Sequence, residues 1–233
     1  MSEEPPRKTM IKRPGTGQIR AKPARLKTAK GRTGAQQAWL ERQINDPFAA
    51  EARAKGYRSR AAFKLSEMDD RFKLIPRGAR VIDLGCAPGG WVQIANQRGA
   101  GRVVGVDLLP VGPLPPAEMI EMDFTDPACG PRLLAMLDGA PDLVLSDMAP
   151  NTTGHRTTDH LRIVGLIEAA ADFAITVLKP GGAFVTKAFQ GGELAPVIAR
   201  LKATFDQVKQ VKPKASRAES SEVYLVATGF RGR

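Results

Sequence analysis

A mostly parallel β-sheet of seven strands, with helices on both faces, is predicted by three features of this chain. Strand-like and helix-like segments alternate along it, a glycine-rich turn joins the first such strand to the helix behind it, and aspartates recur where strands end. The strands read as Arg80 to Leu84, Arg102 to Val106, Met119 to Met122, Leu143 to Ser146, Ala183 to Lys187, Phe205 to Val211 and Val223 to Thr228. At 233 residues, 42% of them hydrophobic, the chain is long enough for one well-buried α/β domain and little else.

Taken in order, residues 1–37 hold ten Lys and Arg against Glu3 and Glu4, with Pro, Gly and Thr between them. That composition buries too little to fold, so this stretch reads as a disordered basic arm, either an RNA-binding tail or a merely solvated one. The folded domain is expected over 38–233. Its pattern turns helical through Trp39-Leu40-Glu41-Arg42 and again after Asp46, which can cap a helix that has Pro47 in its first turn. A further helix through Arg58–Leu65 places Phe63 and Leu65 toward the core and sets Arg60 and Lys64 four apart along one side. Ile163, Leu166, Ile167, Ala170, Ala174, Val177 and Leu178 repeat at helical spacing and read as core, with Lys179-Pro180-Gly181-Gly182 as the stop. A helix from Leu194 to Ala203 precedes the closing pair of strands.

Composition narrows the function classes. Thirty-five Lys and Arg against 24 Asp and Glu give a net charge of +11, a surface suited to a polyanion, although charge alone does not choose between RNA and DNA. No apolar run approaches the roughly 20 residues that cross a bilayer, and the first residues lack the basic-then-apolar order of a secretion signal. Two isolated cysteines, Cys86 and Cys129, fit a reducing cytoplasm. Together with His155 and His160 they form no closely spaced metal-ligand pairs, so no metal is expected.

The chemistry concentrates in Asp83-Leu84-Gly85-Cys86-Ala87-Pro88-Gly89-Gly90-Trp91, which follows Val81-Ile82 and precedes Val92-Gln93-Ile94-Ala95. Glycines in such a turn let backbone approach a ligand closely. The spacing is not the G-x-G-x-x-G that cradles a pyrophosphate, which disfavours a nicotinamide dehydrogenase and suits a cofactor without one. Asp83, Asp107, Asp123 and Asp147 follow four successive strands. Any one of them could be turn chemistry, but four in register beyond the carboxyl ends of parallel strands would rim one pocket, and Asp107 stands where a carboxylate accepts from ribose hydroxyls.

The words C-A-P-G-G-W, D-L-L-P, S-D-M-A-P-N and K-A-F-Q-G, in this order between about Trp39 and Thr228, resemble the FtsJ/RrmJ family of RNA ribose 2′-O-methyltransferases. The resemblance implies a Rossmann-like fold that binds S-adenosyl-L-methionine through Gly89, Trp91, Asp107, Asp123 and Asp147. Trp91 can equally be a packing aromatic. The resemblance also implies a catalytic tetrad of Lys64, Asp147, Lys187 and Glu222. Cys86 stands where the family commonly has alanine, a change small enough in volume to leave function intact. An in-line attack by a ribose hydroxyl needs positioning and a base, and Lys187 is the candidate base. A free lysine is protonated at neutral pH; Lys64 nearby would favour the neutral amine, while Asp147 and Glu222 would oppose it and orient the amines instead.

By the same resemblance the substrate is a uridine in the aminoacyl-site loop of large-subunit (23S) ribosomal RNA, on the assembled 50S ribosomal subunit, and the enzyme is a cytoplasmic monomer. Relatives with the same tetrad act on transfer RNA, mRNA caps or other ribosomal sites. A non-catalytic RNA-binding assembly factor is a second reading, which the intact tetrad disfavours. Pro150–Thr158 reads as a loop able to close over cofactor or RNA, with His155 a loop polar residue. Lys209, Lys212, Lys214 and Arg217 read as a phosphate-binding rim beside Glu222, or as a solvated charge run.

Overall fold

The computed structural model describes residues 44–149, 156–191 and 194–232, together with Gly34, Gln37 and Glu41. Among the first 45 residues, Gly34, Gln37, Glu41 and Ile44 are helical, and Asn45 Nδ2 donates to the Glu41 carbonyl over 2.8 Å. The expected basic arm otherwise lies outside the described residues, as do Trp39, Leu40 and Arg42.

From Asp46 on, the elements are α1 (Pro47–Ala54), α2 (Ala61–Phe72), β1 (Arg80–Leu84), α3 (Gly90–Gln97), β2 (Arg102–Asp107), β3 (Glu118–Glu121), α4 (Cys129–Leu137), β4 (Leu143–Ser146), α5 (Arg156–Val177), β5 (Ala183–Phe189), α6 (Ala195–Thr204), β6 (Phe205–Val211) and β7 (Glu222–Phe230). Asp46 caps α1 as expected, accepting from the amides of Phe48 at 3.0 Å and Ala49 at 3.2 Å.

The seven strands lie in the order β3-β2-β1-β4-β5-β7-β6. The first five pair in parallel, and β7 runs antiparallel to both β5 and β6. Side chains alternate across the sheet, which divides the core in two. Ile82, Val104, Val144, Phe184 and Leu225 pack with α4, α5 and α6 on one face. Val81, Val103, Leu145, Val185, Tyr224 and Val226 pack with α2 and α3 on the other.

Several boundaries differ from expectation. β7 begins at Glu222 and therefore carries it on a strand. β3 is Glu118–Glu121, one residue earlier than the pattern suggests. α5 starts at Arg156, so Arg156, Thr157 and Thr158 are helical rather than loop; nothing between Gly154 and Lys179 breaks a helix, and the one glycine there, Gly165, has open space around it. Pro150 to His155 lie outside the described residues. Among the described residues no helix is long and apolar enough to cross a membrane.

Candidate active site

Strand register brings three members of the expected tetrad to one place. Lys187 on β5 pairs with Tyr224 on β7, so both side chains leave the same face of the sheet, and Glu222, two residues before Tyr224, leaves it too. Ser146 on β4 pairs with Thr186 on β5, which sets Asp147, just past the strand end, beside Lys187. The Asp147 amide donates to the Leu84 carbonyl over 3.1 Å, holding that turn to β1. Lys64 comes from α2, which packs on this same face.

The four side chains form one hydrogen-bonded array with Tyr224 at its centre. Lys64 Nζ donates to Glu222 Oε1 at 2.7 Å and to the Tyr224 hydroxyl at 3.0 Å. That hydroxyl donates to Asp147 Oδ1 at 3.0 Å, and Lys187 Nζ lies 3.0 Å from the same oxygen while donating to the Asp147 carbonyl at 2.5 Å. A phenol has one hydrogen, so giving it to Asp147 makes Tyr224 an acceptor toward Lys64. Lys187 thus meets Asp147 twice, at the backbone carbonyl and at Oδ1.

Two cations face two anions here, mostly out of water. Burial acts to raise the Glu222 carboxyl, but the charge and hydrogen bond of Lys64, the Ser216 hydroxyl and the charge of Lys187 outweigh it and hold the group below the usual glutamate range. Burial, with the carboxylates of Asp147 and Glu222, pushes the Tyr224 phenol far above its usual range, so it keeps its proton.

Asp147 also lines a cavity of about 340 Å³ beyond the ends of β1, β2 and β4, a volume typical of small-molecule sites. Gly85, Asp107, Asp123 and Met148 share the lining. Asp107 is pinned by amides, Ala87 to Oδ2 at 2.8 Å and Leu109 to Oδ1 at 2.9 Å. The hydroxyl and amide of Thr125 donate to Asp123 and hold it below the usual aspartate range. Leu108 and Leu109 also line the cavity although 61% and 63% exposed, and give it an apolar wall.

Three predicted site residues stand elsewhere. Asp83 does not rim the cavity: it lies inside β1, 1% exposed, and neither carboxylate oxygen has a hydrogen-bond partner. Burial and the neighbouring charges of Asp147 and Asp107 push its carboxyl well above the usual range. Gly89 caps α3 at φ +108°, where an added Cβ would stand 2.5 Å from Leu114 Cδ1. Trp91 is buried, donating Nε1 to the Ala61 carbonyl at 2.8 Å with its ring 5.7 Å from that of Tyr224, so its indole packs the array from behind.

Leu166, expected in the core, is a cavity wall instead. Of the expected phosphate rim, Lys212 Nζ donates to the carbonyls of Ala218 at 2.9 Å and Ser220 at 2.6 Å, and Arg217 turns to Asp46 at 3.6 Å, so both staple the fold. Lys209, Lys212 and Lys214 are all exposed. Tyr224 was missed by the sequence reading. Its signal was its place two residues after Glu222 on a predicted strand, hence on the same face. Among the described residues no group of three or more His, Cys, Asp and Glu could hold a metal ion.

A mostly polar array touching a small-molecule cavity at the switch of strand order suits group transfer onto a substrate beside a bound cofactor. The carboxylates of Asp107, Asp123 and Asp147 beside the apolar side chains of Leu108 and Leu109 give the cavity a lining suited to a ligand with both polar and apolar parts.

The chain is 71% identical over 226 residues to a protein from a Caulobacter species named ribosomal RNA large subunit methyltransferase E, spanning 96% of this chain and 100% of that one. It is 63% identical over 212 residues to a protein of that name from Gluconobacter oxydans, spanning 91% of this chain and 79% of the other. Among solved structures, a Plasmodium falciparum protein provisionally assigned as a ribosomal RNA methyltransferase superposes with a TM-score of 0.68 at 29% identity, spanning 76% of this chain and 100% of that one. The model of the FtsJ-like methyltransferases matches residues 57–230, which include the whole array and every strand, and the chain belongs to that family.

Proposed function

We propose that this chain transfers a methyl group from S-adenosylmethionine to the 2′-hydroxyl of a uridine ribose in large-subunit ribosomal RNA, in the aminoacyl-site loop of the assembled 50S subunit. The observation that carries this reading is Asp147, which belongs both to the cavity and to the Lys64–Tyr224–Asp147–Lys187 array and so joins a cofactor site to a proton-handling one. The ribosomal substrate is supported by the relatives named above and by the net charge of +11.

When bound, S-adenosylmethionine supplies an electrophilic methyl carbon on a sulfonium. Asp107 and Asp123 would hold the cofactor's hydroxyl and amino groups, and Asp147 would lie at its reactive end. Lys187 holds the ribose hydroxyl and, as the neutral amine, takes its proton as the oxygen attacks. Asp147 fixes the direction of that amine through two contacts. Lys64, held by Glu222 and Tyr224, is fixed on the other side of the array. The hydrogen-bond chain makes orientation rigid before substrate arrives.

The test incubates the full chain and its Lys187→Ala variant with methyl-labelled S-adenosylmethionine and large subunits lacking the modification, and maps label to nucleotide and atom. Ribose label on a large-subunit uridine that disappears in the variant is expected. Label on transfer RNA alone would move the substrate; cofactor binding without label on any RNA would leave a binding role.

A further inference from the structure

We propose that Ser216 is a positioning residue for the methyl transfer, orienting Glu222 and through it Lys64; this rests on the reading of the tetrad given above. Ser216 lies in the β6–β7 connection, six residues before Glu222, and is 7% exposed. Its hydroxyl donates to Glu222 Oε1 at 2.8 Å, the same oxygen that accepts Lys64 Nζ at 2.7 Å. A glutamate at the start of a strand has several side-chain rotamers, and its side chain here remains 17% exposed. One lysine on a flexible stem does not select among them. A second donor from a fixed direction does.

That direction is set by how the connection is docked. The Ser216 amide donates to the Pro213 carbonyl at 2.9 Å, closing a turn, and Lys212 ties the far side of the loop to Ala218 and Ser220. The loop is then bound to α2 on both sides of Lys64. Four residues before Lys64, Arg60 donates to the Ala215 carbonyl and pairs with Asp46; three residues after it, Glu67 accepts the Lys214 amide at 2.8 Å. Arg217 reaches the same buried Asp46 at 3.6 Å. The backbone that carries Ser216 is thus registered to the helix that carries Lys64, and Ser216–Glu222–Lys64 closes the ring between them. Misplacing Glu222 by one rotamer frees Lys64 from one of its two acceptors.

The experiment compares the full wild-type chain with Ser216→Ala and Ser216→Thr. It measures kcat and KM on unmodified large subunits, and, without substrate, follows the Glu222 carboxyl carbon by NMR titration. In Ser216→Ala, kcat is expected to fall roughly tenfold with both KM values within about twofold, the split of a group that aligns rather than binds. The Glu222 titration moves up as a hydrogen bond to the charged form is lost. Ser216→Thr, which keeps the hydroxyl, returns the titration toward wild type and most of kcat with it. A Ser216→Ala chain matching wild type in kcat and in the Glu222 titration overturns the proposal. So does a loss of kcat with no movement of Glu222, which would mean packing alone. Failure of the methyl-transfer reading is distinct, because then no sample, wild type included, yields ribose-methylated RNA.

Discussion

Tyr224 donates its phenolic hydrogen to Asp147 across 3.0 Å, and this single bond couples the strand that carries Glu222 to the turn that borders the cavity. Replacing Tyr224 with Phe removes it and also removes one acceptor of Lys64. Loss of a buried hydroxyl bonded on both sides should cost about 1–2 kcal/mol in denaturant unfolding. Methyl transfer should slow about tenfold or more in kcat with cofactor affinity unchanged, since Tyr224 is not a cavity wall. Equal loss of cofactor binding, measured by calorimetry, would refute that separation.

Glu222 predicts an acid limb. Its carboxyl titrates below the ordinary glutamate range, so it contributes stability above that range and the contribution is lost as pH falls through the depressed value. Glu222→Gln should therefore unfold more easily at neutral pH, by about 1–3 kcal/mol, and lose less stability than wild type on acidification. Melting temperatures followed from pH 7 to pH 3 decide it; parallel curves would mean Glu222 is not the group responsible.

Asp83 predicts the opposite sign. Its folded value lies above the ordinary aspartate range, so as pH rises through that range the unfolded chain ionises while the folded chain resists, and stability falls. Asp83→Asn should be more stable than wild type at pH 8 in the absence of cofactor, by about 1–2 kcal/mol, and should bind S-adenosylmethionine more weakly. A variant that is less stable at pH 8 would show that the orphaned carboxylate is satisfied in solution.

Leu109 separates binding from folding. At 63% exposed it contributes little to the core, so Leu109→Ser should change stability by less than about 0.5 kcal/mol. Its place on the cavity wall predicts cofactor affinity weakened about three- to tenfold, read by calorimetry. Unchanged affinity would remove this wall from the binding site.

The chain's local patterns determined most of the fold and pointed to every member of the array but Tyr224. Alternating strand and helix signals, the glycine turn at Gly85 and the aspartates after strands are read within windows of a few residues, where backbone sterics and periodicity act. Lys64, Asp147, Lys187 and Glu222 were legible through their surrounding words. Tertiary structure alone decided how they connect. Tyr224 became the hub because β7 inserts antiparallel beside β5 and pairs it with Lys187, a register no local pattern carries. It was tertiary structure too that buried Asp83, turned Leu166 into a cavity wall and tied Arg217 to Asp46. The physical reason is the same in each case. A side chain's chemistry is local, but its partners and its access to water are set by segments distant in sequence, and only folding brings them into contact.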